Sequence, residues 1–120
     1  MILNVNTRNA FRDVRGEITD LQLFDGGFSV TRIRSVAGAV RGNHFHKETH
    51  QFTYVIKGST LVAEKDDRYS AFPGDLIYHA AGDSHAFKCL EDSEWLVFTK
   101  GPRAGNNYES DTFRLDVPLI

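Results

Sequence analysis

The stretch GNHFHKETHQFTYVIKG, residues 42–58, holds three of the five histidines of this 120-residue chain within seven consecutive positions. His44 and His46 are separated by one residue, so on a β-strand their imidazoles point to one face and Phe45 points to the other. Imidazoles that are mostly uncharged at neutral pH have no obvious use on a surface, whereas two on one face can hold one metal ion. The stretch therefore predicts a β-sheet protein that aims two ligands at a metal.

The size and charge of the chain limit the classes of protein to which it can belong. A length of 120 residues corresponds to a single domain, residues 1–120. The 14 basic and 16 acidic residues nearly balance, so nothing favours nucleic acid or an anionic membrane as a partner. There is no apolar run of transmembrane length, and the first residues do not resemble a secretory signal. Because Cys89 is the single cysteine, no intramolecular disulfide is possible, and we expect a soluble, cytoplasmic protein.

Short apolar and β-branched segments alternate with turn-forming residues along most of the chain. Gly58 and Ser59 separate two of these segments closely enough to predict a hairpin between them. No window shows a sustained helical period, so we expect little helix. Regularly spaced short strands predict an all-β fold, either a sandwich or an antiparallel β-barrel. The predicted strands cover residues 28–36, 51–57, 60–64, 69–72, 76–79, 85–90 and 95–99.

The C-terminal segment, residues 101–120, has a pattern of its own. Residues 101–111 are predicted to form a loop, after which Phe113, Leu115 and Val117 alternate with polar residues as in a half-buried strand. This strand either closes the sheet of its own chain or forms an arm that pairs with the sheet edge of a second copy. The second arrangement would make a homodimer, and the pattern alone favours neither.

Two patterns in the chain resemble the metal-binding motifs of the cupins, a family of small β-barrels. The first motif of that family is Gly, five residues, His-x-His, three or four residues, Glu, six residues and Gly. Its positions here are Gly38, His44, His46, Gln51 and Gly58. The second motif is Gly, five residues, Pro, one residue, Gly, two residues, His, three residues and Asn. Its positions here are Gly74, Ala80, Gly82, His85 and Cys89. The resemblance covers about residues 28–99 and implies a jelly-roll barrel, or double-stranded β-helix.

The resemblance also implies a metal site in which His44, His46, His85 and Gln51 bind a divalent transition metal. Nickel, zinc, iron and manganese are all acceptable, because a mixed nitrogen and oxygen shell selects weakly among them. Gln51 replaces the usual glutamate of the family, which leaves a neutral shell that binds the metal less tightly. His50 is the alternative fourth ligand, since the three-residue variant of the motif places its glutamate there. Adjacent residues on a strand face opposite sides, so only one of the two reaches the metal unless a bulge intervenes.

The segment RGNHFHK, residues 41–47, is similar to a segment of cupin domains that accompany nucleotide-sugar enzymes in bacterial surface-polysaccharide synthesis. The similarity implies an isomerase or epimerase of a sugar or nucleotide sugar, in which the metal polarises substrate oxygens. His79 and Tyr54 are the residues expected to move the proton. Arg41 and Lys47, which flank the ligand strand, are expected to bind a phosphate or carboxylate of the substrate.

Two other classes of function remain open at this stage. A shell of three histidines with open positions also suits Fe(II) and oxygen, so a dioxygenase is one alternative. A non-catalytic module that binds a sugar or a metal is the other, because barrels of this type host many functions. In each case we expect a small-molecule ligand, most simply a carbohydrate, and a homodimer. We expect neither nucleic acid nor a membrane as a partner.

Overall fold

The computed structural model of the chain describes residues 1–5, 10–103 and 109–120. Most of this part is β-structure, and it contains no α-helix. The predicted 101–111 loop falls partly on residues 104–108, which lie outside the described residues. The strands are β1 (Ala10–Asp13), β2 (Gly16–Phe24), β3 (Phe28–Ser35), β4 (Val40–Phe45), β5 (His50–Lys57), β6 (Thr60–Glu64), β7 (Arg68–Ala71), β8 (Leu76–His79), β9 (His85–Cys89), β10 (Ser93–Lys100) and β11 (Phe113–Arg114).

The strands form two antiparallel sheets that face each other. One has six strands in the order β1-β2-β3-β10-β5-β8, and the other has five in the order β11-β4-β9-β6-β7. Strands that are close in sequence repeatedly lie in different sheets, which is the arrangement of a jelly roll. The expectation of an all-β antiparallel barrel of this type with little helix is confirmed. No described helix is long and apolar enough to cross a membrane.

The hairpin predicted at Gly58 and Ser59 is wrong. β5 pairs with β8 and β10, whereas β6 pairs with β7 and β9, so the chain crosses from one sheet to the other at this point. Gly58 has a φ of 79°, and a Cβ at this position would lie 2.4 Å from the backbone oxygen of Asp92. The close approach requires glycine, and it marks a sheet-to-sheet crossing instead of a two-residue turn.

The core lies between the two sheets and is built from the inward faces of their central strands. Alternation along β5 and β10 buries one side of each strand, as the burial patterns of both strands record. Trp95 is the largest fully buried side chain, and its indole packs 5.0 Å from the ring of Phe87 in the opposite sheet. The buried cluster consists of Ile33, Val55, Val62, Ala71, Ile77, Phe87, Cys89, Trp95 and Val97.

The C-terminal segment folds back on its own chain. The short strand β11 pairs with β4, placing Phe113 opposite Phe45 and Arg114 opposite His44. The side chain of Asn43 holds the end of the chain, because its amide oxygen accepts a hydrogen bond from the backbone of Leu119 at 2.7 Å. Of the two arrangements considered for this segment, the structure has the one that closes its own sheet. The strand is shorter than the predicted alternation, covering two residues.

Candidate metal centre

Three histidines from two neighbouring strands converge at one end of the barrel interior. His44 in β4 lies directly opposite His85, the first residue of β9, and His46 follows immediately after β4. One ring nitrogen of each lies within 4.8 Å of the corresponding nitrogens of the other two. His46 and His85 are almost fully buried, with 2% and 1% of their surfaces exposed. The spacing and burial are those of a set of ligands that can share one ion.

A β-bulge in β4 turns His44 toward the interior. Arg41 and Gly42 pair with Phe87 and Ala86, but the next residue of β9, His85, pairs with His44, so one residue of β4 is skipped. Gly42 has a φ of 88°, and a Cβ there would lie 2.9 Å from the backbone oxygen of His85. The bulge resets the alternation of the strand, so Arg41 and His44 face the same side although they are three residues apart.

Backbone carbonyls fix two of the rings in the orientation that a ligand needs. The Nδ1 atom of His46 lies 3.0 Å from the carbonyl oxygen of Asp111, and the Nδ1 atom of His85 lies 3.1 Å from that of Asp83. A carbonyl only accepts, so each Nδ1 carries the proton and donates it, leaving Nε2 with a free lone pair. Both Nε2 atoms are buried, and neither has a hydrogen-bond partner among the described residues. Two orphaned nitrogen lone pairs beside His44 fit a divalent metal ion.

The electrostatics of the cluster keep the imidazoles neutral. Burial lowers the pKa of His44 to about 3, and the neighbouring His46 and the nearby Arg103 and Arg114 add to the effect. Burial also lowers the pKa of His46, although the carbonyl of Asp111 and the nearby side chain of Gln51 act in the opposite direction. Both rings are therefore neutral at neutral pH. The neutral ring is the form that binds a metal.

Asp111 locks the turn that carries His46. Its carboxylate accepts hydrogen bonds from the backbone amides of Lys47, Glu48 and Thr49 at 2.9, 3.0 and 2.9 Å. It also accepts one from the Thr49 hydroxyl at 2.8 Å. Asp111 adopts a φ of 78°, which is a strained conformation for a residue with a side chain. One residue of the C-terminal segment thus holds both the turn and, through its carbonyl, the His46 ring.

The strand β5 places Gln51 inside the barrel and His50 outside. Gln51 is 6% exposed and shares the inward face with Thr53 and Val55, which are fully buried. The Gln51 amide nitrogen donates to the Thr53 hydroxyl at 3.2 Å, so the amide oxygen is the atom of this side chain that could bind a metal. His50 is exposed, and its Nδ1 lies 2.9 Å from the hydroxyl of Tyr78. Of the two alternatives for a fourth ligand, Gln51 is the one that faces the interior.

His79 lies beside the three histidines and is held by an acidic partner. It is 1% exposed, and its ring stacks on that of His85 with a centroid distance of 4.4 Å and an interplanar angle of 13°. Its Nε2 atom lies 2.8 Å from a carboxylate oxygen of Glu64, and the hydroxyl of Tyr69 donates to the same oxygen at 2.9 Å. A recess of about 360 Å³ opens next to Glu64. The arrangement connects a buried imidazole beside the cluster to a partly exposed carboxylate.

Arg41 is also buried, which sequence reasoning did not foresee. It is 6% exposed, and its Nε atom donates to the hydroxyl of Ser35 at 2.7 Å. One terminal nitrogen, Nη2, is buried without a hydrogen-bond partner in the described part of the chain. Burial lowers the pKa of Arg41, and the positive charge of Arg15 lowers it further. Arg41 leaves its strand on the same face as His44, but the buried guanidinium lies near Ser35 and Cys89, with donor capacity to spare.

Two residues expected at the site lie outside the barrel, and their expected placement is corrected. Tyr54 is 39% exposed on the outer face of β5, because it alternates with the buried Thr53 and Val55. Lys47 is exposed, and its ammonium lies 4.1 Å from the centre of the Phe113 ring in a cation–π contact. Tyr54 points outward because neighbouring residues of a strand face opposite sides of the sheet. Lys47 lies on the outer surface because its ammonium contacts the Phe113 ring of the C-terminal segment.

The residues that support the cluster were not found from the sequence. Asp111 and Glu64 are far from the histidines along the chain, and each acts on a ring that the sequence had already singled out. Asp83 acts through its backbone carbonyl, for which a sequence carries no signal. Glu64 pairs across strands with His85, but this pairing can be recognised only once the register of the sheet is known.

Comparison with known proteins gives a family match and several relatives. The family described as a cupin domain matches residues 32–99. Oxalate decarboxylase OxdC of Bacillus subtilis is 34% identical over 90 residues, which cover 69% of this chain and 22% of that protein. The DNA damage-repair/toleration protein DRT102 of Arabidopsis thaliana is 32% identical over 95 residues, covering 71% of this chain and 30% of that protein.

Solved structures resemble the whole fold. Oxalate decarboxylase from Bacillus subtilis superposes with a TM-score of 0.80 at 23% identity, covering 94% of this chain and 31% of that one. The capsular polysaccharide assembling protein CapF from Staphylococcus aureus superposes with a TM-score of 0.77 at 18% identity, covering 92% and 32%. At these identities the likeness establishes the fold alone. The chain spans less than a third of the length of each of these proteins.

Proposed function

The chain belongs to the cupin family, and we propose that it is a metal-dependent enzyme that isomerises or epimerises a sugar or nucleotide sugar. The observation that carries the proposal is the set of histidine nitrogens with free lone pairs at the end of the barrel. His44, His46 and His85 would hold the ion, and Gln51 would offer its amide oxygen as a fourth ligand. Nickel, zinc, iron and manganese all suit these donors.

The metal, when bound, supplies Lewis acidity that polarises a carbonyl or hydroxyl oxygen and eases removal of a proton from the adjacent carbon. Three imidazole ligands and one amide ligand would leave coordination positions for the substrate, as a catalytic site requires. The barrel itself excludes bulk water, because the surrounding side chains of β5 and β9 are buried. Exclusion of water strengthens every polar interaction inside the site.

His79 is the residue proposed to move the proton. Its buried ring lies beside His85, and its hydrogen bond to Glu64 fixes the ring orientation. A bond from one nitrogen to a carboxylate leaves Nδ1 as the atom that can accept or return a proton. That Nδ1 atom is buried and has no hydrogen-bond partner in the described residues. Proton transfer by a positioned imidazole typically contributes about 10²–10⁴-fold to the rate.

Arg41 is the residue proposed to bind an anionic group of the substrate. Its Nη2 atom is buried and has no hydrogen-bond partner among the described residues, and a buried guanidinium gains most from a carboxylate or phosphate. Lys47 has no such position, because it lies on the outer surface over Phe113.

The comparisons support a small polar substrate of this kind in two ways. CapF is named for the assembly of capsular polysaccharide, which agrees with a role in carbohydrate chemistry. Oxalate decarboxylase is named for a small dicarboxylate, which agrees with an interior that combines metal ligands and a buried guanidinium. Because the second name points to a different reaction, oxalate belongs among the compounds to be tested.

The experiment is a metal analysis followed by a solvent-exchange assay. The protein is purified without chelator, reloaded with each of the four metals, and incubated in D₂O with a panel of keto sugars and nucleotide sugars. We expect NMR to show deuterium at the carbon next to the carbonyl, with conversion to an isomer. The His79→Gln variant should retain the metal and lose the exchange.

Three outcomes would overturn the proposed reaction. Ligand binding by calorimetry without exchange or conversion would identify a non-catalytic module. Activity that depends on iron and consumes oxygen would identify a dioxygenase. Release of carbon dioxide from oxalate would identify a decarboxylase. A fourth outcome, absence of stoichiometric metal after reloading with every metal, would overturn the metal site itself.

The cytoplasmic location remains a prediction that cell fractionation can test.

A further inference from the structure

Two arginines that follow β10 in the chain, Arg103 and Arg114, lie beside the candidate metal centre and are called the arginine pair below. Arg114 belongs to β11 and lies directly opposite His44. The backbone amide of Arg103 donates a hydrogen bond to the Thr49 hydroxyl at 3.0 Å. Because Thr49 is in the turn that follows His46, each arginine is attached to a segment that positions a histidine of the cluster.

The strand register shows that Arg114 leaves β11 on the side of the metal centre. The preceding residue, Phe113, lies opposite Phe45, and their rings stack with centroids 5.4 Å apart. Lys47 covers the Phe113 ring from the outer surface. Neighbouring residues of a strand face opposite sides, so the pair of Arg114 and His44 shares the inner side. Arg114 is nevertheless exposed, and its guanidinium therefore stands where solvent meets the site.

The charges of the arginine pair act on the histidine cluster. After burial, which is the largest cause, the charges of Arg103 and Arg114 contribute to the lowered pKa of His44. Arg103 also lowers the pKa of His46. Because the interaction between two charges weakens with distance, both guanidinium groups lie close to the cluster.

No carboxylate neutralises Arg114 in the part of the chain that the structure describes. None of the ion pairs there includes Arg114. Asp111, three residues earlier, uses both carboxylate oxygens to accept hydrogen bonds from the turn at residues 47–49. The ligands proposed for the metal are uncharged as well, so the charge of a bound divalent ion would add to the attraction for an anion.

A row of four paired residues crosses the five-stranded sheet through the metal centre. Arg114 lies opposite His44, His44 lies opposite His85, and His85 lies opposite Glu64. Neighbouring strands lie about 4.8 Å apart, so the strands of Arg114 and Glu64 are roughly 14 Å apart. The row therefore has a positive end at Arg114 and a negative end at Glu64, where the carboxylate binds His79.

We propose that the arginine pair binds a phosphate group of the substrate, while the reacting carbon lies toward His79 at the other end of this row. The proposal rests on the proposed function and narrows its substrate to a phosphate-bearing sugar, either a sugar phosphate or a nucleotide sugar. Guanidinium groups suit this role because they bind phosphate oxygens with two parallel hydrogen bonds. Arg41 lies three residues before His44 and donates to Ser35, so it would contact a different group of the ligand.

The test is isothermal calorimetry on the full-length protein, before and after metal loading. The probes are inorganic pyrophosphate, glucose 1-phosphate and uridine diphosphate, with glucose and uridine as uncharged counterparts. We expect the phosphate compounds to bind in both forms, more tightly with metal, and the uncharged compounds to bind at least about tenfold more weakly. Tight binding of uridine diphosphate alone would indicate a nucleotide sugar, and equal binding of glucose 1-phosphate would indicate a sugar phosphate.

Substitutions of the arginine pair should weaken the binding of the phosphate compounds in both forms of the protein. Arg114→Gln and Arg103→Gln should each raise the dissociation constant by about tenfold, because each removes a charged donor. Arg114→Lys keeps the charge but not the paired donors, so it should recover part of the affinity. The matched control is Arg12→Gln, which removes the same charge from a side chain that is 71% exposed and pairs with Glu17. It should leave the affinity unchanged.

Two results would overturn the role of the arginine pair. One is a wild type that binds none of the phosphate compounds, and the other is an equal loss of affinity in Arg12→Gln and Arg114→Gln. The exchange assay in D₂O separates this proposal from the proposed reaction. Exchange into uncharged keto sugars without phosphate binding would leave the isomerase and remove the arginine pair from substrate recognition. Phosphate binding that depends on Arg114, without exchange into any compound, would keep the binding role and overturn the reaction.

Discussion

The two ends of the barrel interior have opposite chemistry although the same strands build both. On β9, the inward residues change from His85 to Phe87 and then to Cys89. His85 contacts the other imidazoles, whereas Phe87 packs on Trp95. At the first end, buried ring nitrogens of His46, His79 and His85 lie close together without a hydrogen-bond partner in the described residues. At the second end the surfaces are packed and mostly apolar, although the indole nitrogen of Trp95 also has no partner there.

The difference between the two ends of the barrel separates residues that stabilise the fold from residues that serve function. Burial of apolar surface contributes about 25 cal/mol per Å², so the Trp95 end favours folding. Buried polar atoms without partners disfavour folding by about 1–3 kcal/mol each. The histidine end is therefore a place where the chain accepts a cost that a bound ligand can offset. Changes at the two ends should have separable consequences for stability and for metal binding.

The largest effect on stability is expected at the apolar end. Trp95→Ala should lower the free energy of unfolding by about 3–5 kcal/mol, because it opens a cavity between the sheets. Phe11→Ala is the matched control, since it removes an aromatic ring that is 48% exposed. Urea denaturation followed by circular dichroism measures both. Equal effects in the two variants would contradict the division between the ends of the barrel.

At the other end, His46→Ala should abolish stoichiometric metal and leave a folded barrel. The variant removes one of three nitrogens that lie within 4.8 Å of each other, and the two that remain make a weak site. Metal content is measured by mass spectrometry after reloading. The thermal midpoint of the metal-free variant should stay close to that of the metal-free wild type, because removal of the unpartnered Nε2 offsets loss of the hydrogen bond between Nδ1 and the Asp111 carbonyl. Loss of the fold would show that this end also holds the barrel together.

Much of the fold could be predicted because its signals are local. Alternation and turn residues placed most strands, and β6 and β8 have the predicted bounds. The hairpin at Gly58 was missed because a glycine with positive φ serves both a tight turn and a crossing between sheets. The choice between them depends on which strands pair, and pairing is a property of the whole sheet.

The site could be predicted only in part, for a related reason. His44, His46 and His85 stand in motifs of fixed spacing, so the sequence pointed to them. The bulge beside Gly42 and the carbonyl contact of Asp111 depend on long-range packing, and the sequence gives no spacing for either. The burial of Arg41 was not foreseen for the same reason, since the bulge decides which face of the strand Arg41 shares with His44.

The role of Asp111 predicts an intermediate effect on the metal site. Asp111→Ala should weaken metal affinity by about 10–100-fold, the usual effect of removing a group that orients a ligand. The variant loses four hydrogen bonds to residues 47–49 and frees the turn that carries His46. Affinity is measured by competition with a chromophoric chelator, and the nitrogen resonances of the His46 ring report its orientation.

Two matched variants separate this positioning effect from a loss of negative charge. Asp116→Ala removes an exposed carboxylate from the same segment and should leave the metal affinity unchanged. Asp111→Asn keeps an acceptor oxygen and tolerates a positive φ, so it should recover part of the affinity. If Asp116→Ala weakens binding as much as Asp111→Ala does, the effect is one of net charge and the positioning role is wrong.

The smallest effect is expected at His50, although it is part of the histidine-rich stretch. His50 is exposed and contacts the Tyr78 hydroxyl on the outer surface, so its loss should change stability by no more than about 0.5 kcal/mol. His50→Ala should bind metal in the same ratio and with the same affinity as the wild type. Gln51→Ala, one position further on, should weaken the binding because the Gln51 side chain faces the interior. The two neighbours form a direct test of strand parity, and a stronger metal defect in His50→Ala than in Gln51→Ala would sink the ligand set proposed for the interior.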